Sequence, residues 1–291
     1  MSKLECRGIG KKYGKKEALQ QIDLTIESGK IYGLIGRNGA GKTTLLSIMA
    51  AQNPASQGMV MLDGENIWEN QKALGNICFS REISPASGKN GIGSLRIKEY
   101  LKAAAIYLPK WDAQMAGHLI EMFALNPKQR MSKISKGMLS MVTIIVAMAS
   151  KAEYTFLDEP VTGLDAVMRE RFYQILLDEY ADTGRTFVIS THIIEEAANI
   201  FEEVILLKKG CFFIKENTQH LMERALHISG RTEQVGEAVE GLVVCQEEIM
   251  GRSKGVTVLL EEGQTVKTGF EVTVQPVSLQ NLFVALCGKE D

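Results

Sequence analysis

No run of about 20 apolar residues, the length a bilayer crossing requires, occurs in this chain of 291 residues. The most apolar stretch, Met138 to Ser150, is too short and reads as a helix buried on most sides. If a membrane is involved, another chain must supply the span. There is no excess of positive charge either. The formal net charge is -2, so the broad basic footprint of a nucleic-acid binder is missing. The five cysteines, Cys6, Cys78, Cys211, Cys245 and Cys287, are odd in number, scattered and free of any C-x-x-C spacing. That argues for free thiols in a reducing compartment, against a disulfide framework or a zinc site. The segment Met1-Ser2-Lys3-Leu4-Glu5 carries no apolar signal core. No internal repeat or low-complexity tract is visible.

What is present is more specific. Gly36-Arg37-Asn38-Gly39-Ala40-Gly41-Lys42-Thr43 reads G-x-x-x-x-G-K-T, a phosphate-binding loop. Its glycines let backbone N–H groups turn inward around phosphate oxygens. The context has the required order. Ile31 to Ile35 reads as a buried strand, and Thr44 to Met49 opens a helix whose positive end faces the phosphates. Lys42 can reach the β- and γ-phosphates and the Thr43 hydroxyl can ligate Mg²⁺. The chain is therefore expected to bind a nucleoside triphosphate.

The remaining pattern alternates. Ile22 to Ile26 reads as a half-buried strand, and residues 53 to 66 suggest a hairpin. Ser84 to Ser94 is the most loop-like stretch. Residues 97 to 150 are mostly helical. Strand and helix signals alternate from Tyr154 to Lys208. The tail carries short apolar strands at Leu242–Val244 and Val256–Leu260, separated by acidic turns, and closes with a helix over Leu279 to Cys287. A second site element follows from Tyr154-Thr155-Phe156-Leu157-Asp158-Glu159, an apolar strand ending in two carboxylates. Asp158 suits the Mg²⁺ shell and Glu159 suits a general base on the attacking water.

Together these motifs resemble the ATP-binding cassette (ABC) ATPases, over about residues 3 to 215. Pro160 to Asp165 looks like the extension of the carboxylate strand and the D-loop, and Ser190-Thr191-His192 like the switch-histidine motif. Tyr13 sits where the family places an aromatic on adenine. Ile134-Ser135-Lys136-Gly137-Met138 occupies the signature position, L-S-G-G-Q. The resemblance implies an α/β P-loop NTPase of the ABC ATPase fold. It has a RecA-like core, an antiparallel β subdomain and a helical subdomain at about 97–150, all within 1–215. A small C-terminal α+β appendage follows at 216–291.

It also implies an ATPase using ATP and Mg²⁺. Gly36, Asn38, Gly39, Ala40, Gly41, Lys42, Thr43 and Thr44 would hold the phosphates, and Tyr13 the base. Thr43, Asp158 and Glu82 would serve the metal, with Glu159, Lys42 and His192 in the chemistry. Ser135 and Gly137 would act on ATP bound by a second cassette, in a homodimer or in a heterodimer with a sister ATPase. The chain would sit in the cytoplasm, peripheral on the inner face of the membrane, and drive an integral membrane permease subunit. Trp111-Asp112 and the Ser-Lys-Gly-Met signature look like a branch of bacterial ABC-2-type exporter ATPases, implicated in export of, or protection against, peptides and antimicrobials. The alternative is a soluble ABC ATPase acting on the ribosome or nucleic acid. It fits less well with a single set of motifs and a net negative charge, so no nucleic-acid partner is expected.

The chain departs from the family pattern at the signature and at the Q-loop, and Met138 stands where the signature has Gln. Lys136 replaces the first signature glycine, where a cation beside a triphosphate is electrostatically tolerable and could aid dimer closure, or could point away. The Q-loop glutamine is absent from Ile77-Cys78-Phe79-Ser80-Arg81-Glu82, leaving Glu82 or Arg81 in its place.

Overall fold

The computed structural model describes residues 2–84 and 91–288. The chain forms two compact units, Met1–His192 with Ile205–Phe213, and Ile193–Val204 with Ile214–Asp291.

The first unit opens on β1 (Lys3–Tyr13) and β2 (Lys16–Glu27), then β3 (Ile31–Ile35), α1 (Lys42–Met49), β4 (Gln57–Leu62), β5 (Glu65–Asn66), α2 (Gln71–Leu74) and β6 (Ile77–Arg81). Three helices follow, α3 (Ile97–Tyr107), α4 (Ala113–Met122) and α5 (Lys136–Ala149). After them come β7 (Tyr154–Asp158), α6 (Ala166–Thr183) and β8 (Thr186–Ser190). The short α7 (Ile194–Ala197) belongs to the second unit, whereas most of β9 (Glu203–Lys208) and the start of β10 (Cys211–Asn217) belong to the first.

Two sheets result. One runs β2-β1-β4-β5 and is antiparallel. The other runs β10-β9-β3-β8-β7-β6, with β3, β8, β7 and β6 paired in parallel. Every residue of β3, β7 and β8 is buried. This is why these strands read as continuous apolar runs, while β2 alternates: a parallel sheet covered on both faces needs no polar side. Leu4, Ile9, Leu19, Ile22 and Ile26 of the antiparallel sheet share one core with Leu45 and Leu46 of α1 and with Tyr154 and Phe156 of β7. That shared core fixes α1 against β7, and so the glycine loop against the strand that ends in carboxylates.

Several expectations are met closely. The 53–66 hairpin is β4–β5, with Met61 opposite Asn66. The loop expected at Ser84–Ser94 falls mostly outside the described residues; its far end, Ile92–Ser94, is a 3₁₀ turn. The helical stretch 97–150 comprises α3, α4 and α5. Asp112, of the Trp-Asp pair, caps α4 by accepting from the Met115 N–H at 2.9 Å, which gives that residue a local structural reason.

The second unit contains α8 (Thr218–Arg224), β11 (Ala225–Arg231), α9 (Thr232–Ala238), β12 (Val244–Met250), β13 (Ser253–Leu259), β14 (Val272–Pro276) and α10 (Leu279–Cys287). Its antiparallel sheet runs β12-β13-β11-β14. Ile228, Val256 and Val258 pack with Val235 and Val239 in a separate small core. The strand expected at Leu242–Val244 begins only at Val244. Leu242 instead closes a turn after α9, its N–H donating to the Val239 carbonyl. The closing helix spans Leu279–Cys287 as expected, capped by Ser278. Among the described residues no helix is long and apolar enough to cross a membrane.

Candidate functional site

The loop between β3 and α1 closes against Ala18 and Leu19 of β2. Gly41 precedes α1 with φ 104°. A Cβ there would lie 2.7 Å from Leu19 Cδ2 and 2.8 Å from the Ala18 carbonyl oxygen. Only glycine takes this left-handed backbone and this close approach together. No side chain caps α1, so the first N–H groups of that helix are left for an acceptor from outside. Lys42 folds back over the loop, its ammonium donating to the Gly36 carbonyl at 2.6 Å. Burial pulls this ammonium below the usual lysine range, against the opposing pull of the Glu159 and Asp158 charges.

A cleft of about 270 Å³ is lined by Tyr13, Lys16, Asn38 to Thr44, and Glu159. The structure thus gathers Asn38, Gly39, Ala40, Gly41, Lys42, Thr43 and Thr44 with Tyr13 and Glu159, as the sequence led us to expect. Gly36 lies behind the cleft, against the Leu207 carbonyl. Tyr13 is half exposed, with Asn53 Nδ2 donating to its hydroxyl at 2.5 Å and the Lys11 ammonium 5.0 Å from its ring centroid.

A second, larger cavity of about 600 Å³ is bounded by Thr43, Gln52, Arg81, Glu82, Asp158 and residues of α3 and α5. Thr43 belongs to both spaces. Thr43 and Asp158 face one cavity, a hydroxyl and a carboxylate beside a phosphate loop. This is the oxygen donor set that Mg²⁺ takes when phosphates and water complete its shell, so the residues fit that ion. Among the described residues no cluster of three or more His, Cys, Asp or Glu side chains could hold a metal by itself.

The parallel register sets Asp158 beside Ser190. Ser190 Oγ donates to Asp158 Oδ1 at 2.5 Å and accepts from the Glu159 N–H at 3.1 Å. Glu159 itself takes φ 51°, which turns its carboxylate out of the strand. Glu159 Oε2 meets His192 Nδ1 at 2.6 Å and the His192 backbone N–H at 3.3 Å. His192, expected at a phosphate, is therefore joined here to the carboxylate. Sequence reading gave Ser190 no role of its own. The signal was available, since Ser190 ends an apolar strand two residues before His192, just as Asp158 ends β7. Lys16 and Gln52 also line the clefts without having been singled out.

The signature residues lie elsewhere, at the start of α5. Ser135 is its N-cap, accepting from the Met138 N–H at 3.2 Å. Gly137 packs against the D-loop so tightly that a Cβ would stand 2.5 Å from the Gly163 carbonyl oxygen. Ser140 Oγ donates to the Thr162 carbonyl at 2.6 Å, and the Thr162 N–H donates to the Glu159 carbonyl. Neither Ser135 nor Gly137 lines either cleft. Glu82 lines the larger cavity, but Lys136 Nζ stands 3.1 Å from its Oε1.

The family described as ABC transporter matches residues 19–162. The "ABC transporter ATP-binding protein YtrB" of Bacillus subtilis (strain 168) is 26% identical over 98% of both chains. The "Manganese transport system ATP-binding protein MntB" of Listeria monocytogenes is 32% identical, over 71% of this chain and 87% of its own length. The "Bacitracin transport ATP-binding protein BcrA" of Enterococcus faecalis is 30% identical, over 76% of this chain and 71% of its own. A solved "Structure of ATP binding subunit of ABC transporter" superposes with a TM-score of 0.65 at 22% identity, covering 76% of this chain and 92% of that one.

Proposed function

Because this chain belongs to the ABC transporter ATP-binding proteins, we propose that it powers export through a separate integral membrane permease, with peptides or antimicrobials as cargo. As a member of the family it is an ATPase that binds ATP with Mg²⁺. The observation that carries the mechanism is the shared cleft. Glu159 lines the same space as Lys42, Thr43 and Tyr13, so a carboxylate base faces a phosphate cradle.

In this reading the adenine rests on Tyr13, and the N–H groups from Asn38 to Thr44 hold the phosphates. Lys42 offsets the charge that accumulates during transfer. Thr43 and Asp158 would hold Mg²⁺, which would supply positive charge against the phosphates, and Glu82 lies at the edge of the same cavity. Glu159 orients water and accepts its proton, while His192 fixes the direction of that carboxylate. Ser135 and Gly137 serve the ATP of a second cassette, either another copy or a sister ATPase. Their position outside both clefts of their own chain supports that division. The export reading rests on the likeness of the Trp111-Asp112 pair and the Ser-Lys-Gly-Met signature to the ABC-2-type exporter branch, and the antimicrobial cargo on likeness to a bacitracin transport protein. The chain then works in the cytoplasm, on the inner face of the membrane.

The test is Glu159→Gln, followed by size-exclusion chromatography with light scattering. The variant should bind ATP, lose turnover by about 10²- to 10⁴-fold and shift from monomer to dimer only with ATP and Mg²⁺. Turnover at the unsubstituted rate would remove Glu159 from its role. A monomer that binds ATP without pairing would point to a required sister cassette.

A further inference from the structure

Two of the positions at which the sequence departs from the pattern it resembles are one contact in the fold. Lys136 Nζ lies 3.1 Å from Glu82 Oε1. The lysine stem passes close to Gly163, where an added Cβ would come within 3.1 Å of Lys136 Cγ. Glu82 follows Arg81, whose Cα pairs with that of Asp158 across β6 and β7. It lines the cavity that also holds Thr43 and Asp158. A carboxylate added there repels a triphosphate, and the lysine cancels it: the two charges, -1 and +1, sum to zero. We propose that Lys136 and Glu82 are a single positioning element, in which the lysine neutralises Glu82 beside the metal side of the nucleotide site and ties the start of α5 to the end of β6. The proposal rests on the reading of the Thr43–Asp158 cavity as part of the ATP site.

Both side chains are about half exposed, so solvent screens the pair and its effects are severalfold rather than thousandfold. The measurement is the dissociation constant for ATP with Mg²⁺ and with EDTA, for the full chain and for Lys136→Ala, Glu82→Gln, the double variant and Lys136→Arg. Removing Lys136 exposes an anion that weakens metal-free ATP but is answered by Mg²⁺. The ratio of the EDTA to the Mg²⁺ constant should therefore rise about threefold in Lys136→Ala. It should return to the starting value in the double variant and in Lys136→Arg. An unchanged ratio in Lys136→Ala, or the same rise with Glu82 already removed, overturns the proposal. Circular dichroism melting identifies a variant that has not folded. In that event Lys136→Arg and Glu82→Gln carry the comparison, and a ratio shifted by the conservative Arg alone overturns it. Failure of the unsubstituted chain to bind ATP in either buffer is a different result, which overturns the ATP-site reading beneath it.

Discussion

Two helices in the first unit begin at glycine-bearing motifs, and they begin differently. At α1 the preceding residue is Gly41, left-handed and without any side-chain cap. At α5 it is Ser135, extended and capping through its hydroxyl. An uncapped end keeps its N–H groups for a ligand and depends on that ligand to satisfy them. A serine-capped end has one of those N–H groups already satisfied by the protein. It has spent one oxygen lone pair on the Met138 N–H and retains an O–H to donate. The first helix is thus built to be finished by its own nucleotide. The second is built to stand alone and offer what remains to something that arrives later.

That contrast can be broken most severely at α1. Gly41→Ala puts a methyl group 2.7 Å from Leu19 Cδ2 in a backbone region that alanine avoids. ATP affinity should fall by about 100-fold or more, the cost of losing a preorganised anion cradle, as measured by equilibrium titration with a fluorescent ATP analogue. Ser135→Ala should act at the other end. It should lower stability by about 1 kcal/mol through the lost cap, a loss seen in denaturant melts, and leave ATP affinity of the single chain intact. Ser135→Gly sharpens the division further. Glycine caps nearly as well, at a cost of only a few tenths, roughly, of a kcal/mol, yet it has no hydroxyl. If that variant is stable, binds ATP and fails to pair, the hydroxyl serves a partner. If it pairs normally, capping is all that Ser135 does.

Much of this was legible because it is local. The glycine loop, the strand ending in Asp158 and Glu159, and the closing helix over Leu279–Cys287 are each contained in a few consecutive residues whose spacing has one physical reading. What escaped depends on register between distant strands and on close approach of segments far apart in sequence. Ser190 reaches Asp158 because β7 and β8 align in parallel. Gly137 matters to its own chain because Gly163 arrives against it. Lys136 and Glu82 each look like an isolated departure in sequence, and only the fold makes them partners. Trp111-Asp112 suggested a branch of the family, whereas the structure adds that Asp112 starts a helix. The contact of His192 with Glu159, 33 residues away in sequence, was not read from the sequence either.

The backbone at Glu159 has a consequence for endurance. Its φ of 51° costs a side-chain-bearing residue roughly 1–2 kcal/mol relative to glycine. This turn aims the carboxylate, so the molecule is less heat-resistant than its fold permits. Glu159→Gly should melt several degrees higher than Glu159→Ala in a calorimeter, while both are inert. Improving the thermal tolerance of this chain by relaxing residue 159 would therefore sacrifice its turnover, a conflict located at one residue.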